Sequence, residues 1–557
     1  MKKYPKRLIE VDLPIKRISA HARREKSIRH GHISTLHIWW ARRPLAACRA
    51  VLCASLWPDP ADELCPDKFR KDATKLINVF ANNVVQDKDL TSTCSEESFT
   101  KWITLSKSNL DPTNNSHLNI LRFALLDFIA DFANWDNSTN IAYLDTSRAL
   151  TQSAHEALGG VPGTKPLVVD PFAGGGSIPL EALRVGADAF ASDLNPVAVL
   201  LNKVVLEYIP KYGQKLADEV KKWGEWVKQE AEKELAEFYP KDPDGSTPIA
   251  YLWARTIQCE GPGCGAEVPL MRSMWLAKKT NKSVSMLKIP RPDLKKVDFA
   301  IIRKEGKSWV VQEVSEDEEN RQVSGDRCAI KVGDIVVDPD LNGTVARGSA
   351  TCPCCGYTTN VISVSKQLRK FKGGANSAKL FTVILLDKDN NKKHRLPLRH
   401  DYDAVIRASK KLSEYEVIVS KDLSFIPNES LPPHGALGFR IQRYGMVLWR
   451  DIYSDRQLLS LSIISSIIRK LNDKIDYEIG FKNSLITILS FILDRQADYL
   501  TSLTVWSNNG QFIAHTFGRQ AMPIVWEWPE CNLFANGSGN WDGAIDWIYR
   551  VIIANTF

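Results

Sequence analysis

The sequence has no apolar run long enough to cross a membrane, which takes about 20 consecutive apolar residues. The apolar stretch at residues 485–493 is too short to span. Residues 1–7 are basic but lead into no apolar core of the signal-peptide type. These absences argue against an integral membrane protein, and we expect the chain to be cytoplasmic.

Cysteine is also scarce, with 11 in 557 residues, and the one tight cluster is CPCC at residues 352–355. A small secreted domain held together by disulfides uses cysteine far more densely. In a reducing compartment, closely spaced cysteines point to a metal before disulfides. The scarcity and the clustering together indicate a metal site.

The GxGxxG pattern of dinucleotide-binding enzymes is missing, and residues 167–196 carry LVVDPFAGGGSIPLEALRVGADAFASDLNP instead. An apolar run typical of a buried parallel strand ends at Asp170, and three glycines lead into a helix. A second short strand then delivers Asp193, where an acid can accept hydrogen bonds from ribose hydroxyls. This order predicts half of a nucleotide-type site.

The acid at the end of the first strand suggests which nucleotide is bound. Asp170 suits the ammonium group of an amino acid better than a pyrophosphate, which favours S-adenosylmethionine over NAD. Pro171 and Phe172 would shape the pocket wall, and the segment from Asp193 through Asn195 would close over the adenosine. The residues predicted to bind the cofactor here are Asp170, Pro171, Phe172, Gly174, Gly176, Asp193 and Asn195. The alternative is a turn of an α/β sheet that binds no ligand.

Two cysteine pairs have the spacing of metal-binding knuckles. Four residues separate Cys259 from Cys264, two separate Cys352 from Cys355, and glycine follows the second cysteine of each pair. Such glycines let backbone N–H groups point at thiolates, which favours a tetrahedral structural Zn²⁺. A folded β insertion must fill the 87 residues between the pairs. The alternative is a set of reduced thiols in a metal-free unit.

Positive charge is concentrated at one end of the chain. The net charge is +8, and residues 1–50 contain 13 Lys or Arg against three acids. Further basic stretches are KQLRKFKGGANSAK at residues 366–379, which looks like a mobile loop, and residues 437–459, where arginines alternate with aromatics. This pattern indicates a nucleic-acid partner bound through phosphates, with a solvated basic surface as the alternative.

The turn DPFAGGGS followed by SDLNP resembles the amino-methylating DNA methyltransferases, which modify adenine N6 or cytosine N4. Four further segments extend the resemblance to nearly the whole chain, namely STLHIWWARRPLAACRA, CPCCG, LGFRIQRYGM and TFGRQAMPIVWEW. Together they resemble the adenine-specific DNA methylases that contain a zinc ribbon and a DUF1156 amino-terminal domain. In that group a segment before the glycine turn completes the cofactor pocket, and HIWWARRP is the candidate here, which suggests roles for Trp40 and for Arg42 or Arg43.

The resemblance implies an α/β chain with an incomplete, Rossmann-like methyltransferase fold, an inserted zinc-ribbon and β domain, and a helical carboxyl-terminal part. Double-stranded DNA would be the partner. The expected divisions are a basic DUF1156-like segment (1–90), a helical segment (91–165), the cofactor-binding half (166–212), an exposed helical arm (213–250), the zinc ribbon with its insertion (251–365) and a recognition region (366–557).

The resemblance also implies a second half-site that this sequence lacks. In the related methyltransferases a strand ends in D/N/S-P-P-Y/F/W, which accepts the target amine and stacks on a flipped base. The one Pro-Pro here is Leu431-Pro432-Pro433-His434, without a following aromatic. We therefore expect a truncated or split adenine-N6 methyltransferase, completed by a carboxyl-terminal partner chain. The alternatives are a non-catalytic DNA-binding subunit and an RNA or cytosine-N4 methyltransferase.

Overall fold

The computed structural model describes residues 4–279, 282–315, 329–417 and 424–556. Within these ranges the fold is mixed α/β, and none of the helices is both long and apolar enough to cross a membrane. The chain divides into two compact units. Unit 1 contains residues 1–219, 478–488 and 547–557, and unit 2 contains residues 220–477 and 489–546.

Unit 1 is mainly helical. Its first seven helices are α1 (Ile15–Glu25), α2 (Leu45–Leu56), α3 (Asp67–Gln86), α4 (Lys88–Thr93), α5 (Glu96–Ser106), α6 (Asn115–Phe132) and α7 (Ile141–Ala157). Their apolar faces bury one continuous core, in which Phe80 makes edge-on contacts with Trp102, Phe128 and Tyr143. The helices of this region therefore build a single core around aromatic side chains.

A short βαβ segment follows these helices. Strand β1 (Leu167–Asp170), helix α8 (Ser177–Arg184), strand β2 (Asp188–Ala191) and helix α9 (Pro196–Lys203) follow in that order. β1 and β2 pair in parallel and form a sheet of two strands. Gly186, at φ +95°, ends α8, and a Cβ there would lie 2.8 Å from the Cα of Arg148. This segment holds the predicted cofactor residues.

Helix α10 (Ile209–Leu235) follows, and it is not the exposed arm that its pattern suggested. Most of its apolar stripe is buried, including Val220, Val227 and Leu235, and Trp223 is half-buried. An amphipathic pattern shows that a helix has an apolar face, but not whether another element covers that face. The helices Ile479–Tyr499 and Trp541–Ala554 also have residues in both units.

Unit 2 is built around a four-stranded sheet. Its strands are β3 (Thr247–Ala254), β14 (Lys379–Leu386), β15 (Lys392–Arg395) and β18 (Glu527–Cys531), in the order β15-β14-β3-β18 with antiparallel neighbours. Among the described residues, the remaining α-helices are α11 (Val361–Lys370), α12 (Arg399–Val417), α13 (Asp455–Lys474), α14 (Ile479–Tyr499) and α15 (Trp541–Ala554). A hairpin of β16 (Val505–Ser507) and β17 (Phe512–Ala514) precedes β18.

Two small β structures lie between β3 and α11. The first is the hairpin β4 (Thr256–Gln258) and β5 (Glu267–Pro269), and the second is the sheet of β11 (Val345–Ala346), β12 (Ser349–Thr351) and β13 (Thr358–Thr359). Between them is a five-stranded antiparallel sheet of β6 (Trp275–Ala277), β7 (Val284–Arg291), β8 (Lys296–Glu305), β9 (Ser308–Ser315) and β10 (Ala329–Val337). This sheet is the folded insertion that separates the cysteine pairs. The acidic stretch EVSEDEE at residues 313–319 begins inside β9, and its residues 316–319 lie outside the described ranges.

The basic stretch at residues 366–379 is not one mobile loop. Its first five residues belong to α11 and its last begins β14. Between them, Gly373 has a φ of +88°, a Cβ there would lie 2.3 Å from the Cε of Met446, and its carbonyl accepts a hydrogen bond from Arg255. The glycines allow close packing here, so the basic, glycine-containing composition did not indicate a mobile loop.

Candidate functional site

The glycine turn between β1 and α8 is held by contacts that only glycine permits. Gly174 and Gly176 have φ angles of +51° and +78°. A Cβ on Gly174 would lie 2.7 Å from the Nε1 of Trp39, and one on Gly176 would lie 2.9 Å from the Oδ1 of Asn202. The amide of Asn202 also donates to the carbonyl of Gly174 at 3.0 Å. Side chains from before and after the turn therefore define its shape.

Asp193 is bound to this turn directly. Its Oδ2 accepts the N–H of Gly174 at 2.9 Å, and its Oδ1 accepts the N–H of Asn195 at 2.8 Å. The hydrogen bonds from Asn195 and then Gly174 lower the pKa of the carboxyl group. Asp193 is thus held ionised at neutral pH, with lone pairs left on both oxygens.

Asp170 and Asp193 follow adjacent parallel strands, so both carboxylates lie at the same edge of the sheet. The Oδ1 of Asp170 accepts the N–H of Phe172 at 3.2 Å. Pro171 and Phe172 are exposed, Phe172 to 78%. The edge therefore presents two acids beside an uncovered aromatic ring.

Asn195 has a local structural task. Its Oδ1 accepts the N–H of Val197 at 2.9 Å, which makes it the N-cap of α9, and Pro196 occupies the first turn. This capping role explains why an asparagine occupies position 195 even if no ligand binds there. Its predicted contribution to a cofactor pocket is therefore the weakest of the set.

The tryptophan that touches the glycine turn is Trp39, which lies over Gly174 and Gly175. Sequence reasoning selected its neighbour Trp40, whose side chain is 48% exposed. Arg42 lines the same small cavity as Trp39 and Gly175, and burial lowers its pKa. An adjacent pair of identical residues offered no signal for this choice, because only packing decides which ring turns inward.

Residues 26–44, which include Trp39, are anchored by the buried carboxylate of Glu25. Its Oε1 contacts the Nε2 of His32 at 2.8 Å, and its two oxygens accept the N–H groups of Leu45 and Ala46 at 3.0 Å. Burial acts to raise the pKa of Glu25, but the hydrogen bonds from His32 and Ala46 outweigh it and lower the pKa. Glu25 thereby caps α2 with a negative charge at its amino end.

The four predicted metal ligands converge in unit 2. The sulfur atoms of Cys259, Cys264, Cys352 and Cys355 all lie within 4.8 Å of one another. Cys259 and Cys355 are 3.5 Å apart, and Cys264 and Cys352 are 3.8 Å apart. Tetrahedral ligands with metal–sulfur bonds of about 2.3 Å lie about 3.8 Å from each other, so the four cysteines could hold a metal ion.

The surrounding backbone fits the same interpretation. The N–H of Gly261 points at the sulfur of Cys259 at 3.3 Å, and a hydrogen bond from Tyr357 lowers the pKa of the Cys355 thiol. Cys354 stands apart, with its sulfur 3.4 Å from the carbonyl oxygen of Lys296. The CxxC spacing therefore selected the right cysteine of the cluster.

The aromatic side chains of the arginine-rich stretch at residues 437–459 do not have the nucleic-acid-binding role that the sequence indicated. Phe439 and Tyr444 are buried, and they make perpendicular contacts with Trp449 and Trp526. They belong to the core and cannot stack on bases as they stand. The exposed arginines in turn point outward, and Arg443 joins Arg369 and His434 in an open groove.

Sequence reasoning missed a cavity with aromatic walls in unit 2. Trp275, Trp506 and Trp528 line it together with the carboxyl group of Glu527. Burial raises the pKa of Glu527 to about 7, although its Oε2 accepts the N–H of Arg272 at 3.1 Å. The available signal was the WEW triplet, an acid between two tryptophans in a segment that the family resemblance had already singled out.

The Pro-Pro loop does not resemble a catalytic turn. The carbonyl oxygen of Pro432 already accepts a hydrogen bond from Gln442 at 2.7 Å, and His434 accepts one from the Nε of Arg443 at 2.8 Å. Both groups therefore already take part in hydrogen bonds of the loop.

A family model described as a protein of unknown function, DUF1156, matches residues 12–80. This match confirms the prediction of a DUF1156 amino-terminal domain. It covers α1, α2 and most of α3, and so includes Glu25, Trp39 and Arg49. None of the curated proteins and none of the solved structures matches the chain.

Proposed function

We propose that this chain is the cofactor-binding part of an S-adenosylmethionine-dependent DNA methyltransferase that acts on adenine N6. One observation carries the proposal. A parallel βαβ segment brings a strand-end acid, a glycine turn and a second acid to one sheet edge, and the second acid is bonded to the turn. Both carboxylates hold the turn through backbone N–H groups and keep further lone pairs, which a ligand at that edge would use.

The chemistry of these groups matches the parts of the cofactor. Asp170 would pair with its ammonium group, the remaining lone pairs of Asp193 would accept its ribose hydroxyls, and Phe172 would cover its adenine. The bound cofactor would supply an electrophilic methyl group on sulfur. The chain itself would bind and orient the cofactor, since the sequence contains no turn that could accept the target amine.

A non-catalytic DNA-binding subunit remains the second candidate, because one observation favours it. Trp39 lies against Gly174 and Gly175, where a glycine turn in a nucleotide site would leave room for a ligand. Under this alternative the indole of Trp39 would permanently occupy the space over the glycine turn. Measuring cofactor affinity separates the two candidates.

Calorimetry with S-adenosylmethionine tests the proposal. Asp193→Ala should weaken binding at least tenfold, since hydrogen bonds to a charged group contribute about 1.5–3 kcal/mol. Asp188→Asn is the matched control, because Asp188 is an exposed acid at the start of β2 and far from the turn along the strand. No binding by the wild-type chain, or equal binding by both variants, would refute the cofactor role.

We also propose that Cys259, Cys264, Cys352 and Cys355 hold one structural zinc ion. Their mutual distances support tetrahedral thiolate coordination, and four protein ligands would leave no position for a catalytic water. The ion would join the β4–β5 hairpin to the β12–β13 hairpin across the inserted sheet. Metal analysis of the purified chain provides the test.

Double-stranded DNA is proposed as the partner, bound mainly through phosphates. Two exposed basic surfaces support this. One lies on and after α1 and includes Lys16, Arg23 and Arg29, and the other is the open groove of about 560 Å³ lined by Arg369, His434 and Arg443. Binding of duplex DNA against single-stranded RNA of the same length distinguishes the polymers.

A further inference from the structure

The aromatic cavity of unit 2 lies between two sheets and a hairpin. Its aromatic walls are Phe381 of β14, Trp528 of β18, Trp275 of β6 and Trp506 of β16. Phe381 and Trp528 are buried, whereas Trp275 and Trp506 are half-buried and mark the side that reaches solvent. All the residues that line the cavity belong to unit 2.

The walls are held in place by hydrogen bonds. The Nε1 of Trp506 donates to the carbonyl of Leu276 at 2.8 Å, and the N–H of Lys278 donates to the carbonyl of Asn508 at 2.9 Å. These two bonds tie the hairpin of β16 and β17 to β6 and to the residue that follows it. The cavity is therefore formed before a ligand binds, which lowers the entropic cost of binding.

One acid, Glu527, lines this cavity and has no countercharge within it. Its Oε2 accepts the backbone N–H of Arg272 at 3.1 Å. Among the described residues, Arg272 is the one cation whose charge acts on the carboxyl group, and its side chain is exposed. Burial therefore dominates and raises the pKa of Glu527 to about 7. A cation inside the cavity would supply the missing countercharge.

Two rings of the wall already attract cations of the chain itself. The ammonium of Lys278 lies 5.4 Å from the ring centroid of Trp275, and the guanidinium of Arg255 lies 4.7 Å from that of Trp528. Neither cation lines the cavity. Of the aromatic side chains, tryptophan binds cations best through its face. The cavity thus combines three rings of this kind with one carboxyl group.

The size of the cavity limits what it can hold. Its volume is about 50 Å³. Because one water needs about 10–15 Å³, about four water-sized atoms fit. A trimethylammonium group, one nitrogen with three methyl carbons, has that size, whereas a purine or pyrimidine base is larger. A stacked nucleobase therefore does not fit this cavity.

We propose that the cavity binds the methylated ammonium head group of an organic cation, either a free small molecule or a trimethylated lysine side chain of a peptide. The rings of Trp275, Trp506 and Trp528 surround the methyl groups, and Glu527 supplies the negative charge. An unmethylated ammonium is strongly hydrated and donates three hydrogen bonds, which aromatic walls cannot accept. The proposal requires neither the cofactor nor DNA.

Calorimetry with the full chain at pH 8, where most of Glu527 is ionised, tests the proposal. The probes are choline, its neutral isostere with carbon in place of the nitrogen, and its unmethylated counterpart ethanolamine. Choline should bind at least about tenfold more tightly than the isostere, because the two share a shape and differ in charge. It should also bind more tightly than ethanolamine and methylguanidinium.

Variants locate the site. Glu527→Gln keeps the shape of the side chain and should weaken choline binding about tenfold. Its matched control is Glu313→Gln, because Glu313 is also half-buried in unit 2 and accepts the backbone N–H of Leu396 at 2.8 Å. Trp506→Leu should weaken binding about fivefold. Trp449→Leu, at a half-buried tryptophan outside the cavity, should leave it unchanged.

A peptide with trimethyl-lysine, and the same peptide with unmethylated lysine, distinguish the two sources of the cation. Tighter binding of the methylated peptide than of choline would assign the site to a protein partner, and binding of choline alone would assign it to a small molecule. No binding of either, equal binding of choline and its isostere, or a preference for ethanolamine or methylguanidinium would overturn the proposal. Unchanged affinity in both Glu527→Gln and Trp506→Leu would also overturn it, since the ligand would then bind elsewhere.

Discussion

Arg49 donates from its Nε to the Oε2 of Glu181 at 2.6 Å, and both side chains are almost fully buried. Arg49 belongs to α2, inside the region that the DUF1156 model matches, and Glu181 belongs to α8, directly after the glycine turn. The same carboxylate contacts Arg184 at 3.2 Å, and burial lowers the pKa of that arginine to about 10. One buried ion-pair network therefore connects the amino-terminal domain to the candidate cofactor segment.

Removing Arg49 should destabilise unit 1. Arg49→Leu breaks a buried pair and deprives the carbonyl of Phe132 of its donor, for an expected loss of about 3–5 kcal/mol. Arg49→Lys should cost less, because it keeps the charge but not the two-pronged contact. Thermal unfolding checks both. Arg23→Leu, at an exposed position of α1, serves as the control and should change stability by less than about 0.5 kcal/mol.

The metal content should depend on Cys355 and not on its neighbour. We expect about one zinc per chain by elemental analysis, and Cys355→Ser should lose the metal together with thermal stability in unit 2. Cys354→Ser is the matched control, since the sulfur of Cys354 contacts the carbonyl of Lys296 instead of the cluster. A stable, zinc-free wild-type protein would contradict the metal assignment.

DNA binding should weaken steeply with salt. Each phosphate contact that is removed should reduce the slope of log K against log salt by about 0.9 for duplex DNA. Replacing Lys16, Arg23 and Arg29 by Gln should lower both the affinity for DNA and the slope of its salt dependence. Lys71→Gln with Lys75→Gln on α3 also removes exposed charge, but outside residues 1–50, where the positive charge is concentrated, and should have less effect per residue. A slope equal to that of the wild type would exclude this surface.

Glu527 should make stability depend on pH. Burial raises its pKa from 4.5 to about 7, so the folded state holds the proton more tightly than the unfolded state. Its stabilising effect is complete below pH 4.5 and declines as the pH rises toward 7. Glu527→Gln should therefore stabilise the protein at pH 8, by at most about 3.5 kcal/mol at 1.4 kcal/mol per pKa unit. At pH 4 the variant and the wild type should melt alike, and a difference there would contradict the titration of Glu527.

The chain alone should not transfer a methyl group. Cofactor binding cannot by itself give an amine the orientation and the hydrogen-bond acceptors that activate it. A radiolabelled-methyl assay on unmethylated DNA should show incorporation only after a D-P-P-Y segment is added. Transfer by the isolated chain would require another acceptor, and Gln442→Ala, which frees the carbonyl of Pro432, would show whether the Pro-Pro loop supplies it.

The features that were readable in the sequence are those governed by short-range geometry. A CxxC pair and a glycine turn restrict the backbone within a few residues, so their local form follows from spacing alone. The cysteine cluster, the strand-turn-helix order and the β insertion between the cysteine pairs were predictable in this way. The choice of Cys355 over Cys354 depended on the same spacing.

Contacts between distant segments were decided by the tertiary structure. Sequence could not select Trp39 over Trp40, bury the aromatics of residues 437–459 or cover the stripe of α10, because each outcome depends on which element packs opposite. Arg49 looked like one more cation of a basic segment, yet it is buried with Glu181, 132 positions away. Periodicity shows that a side chain prefers to be buried, and only the packed chain shows which partner buries it.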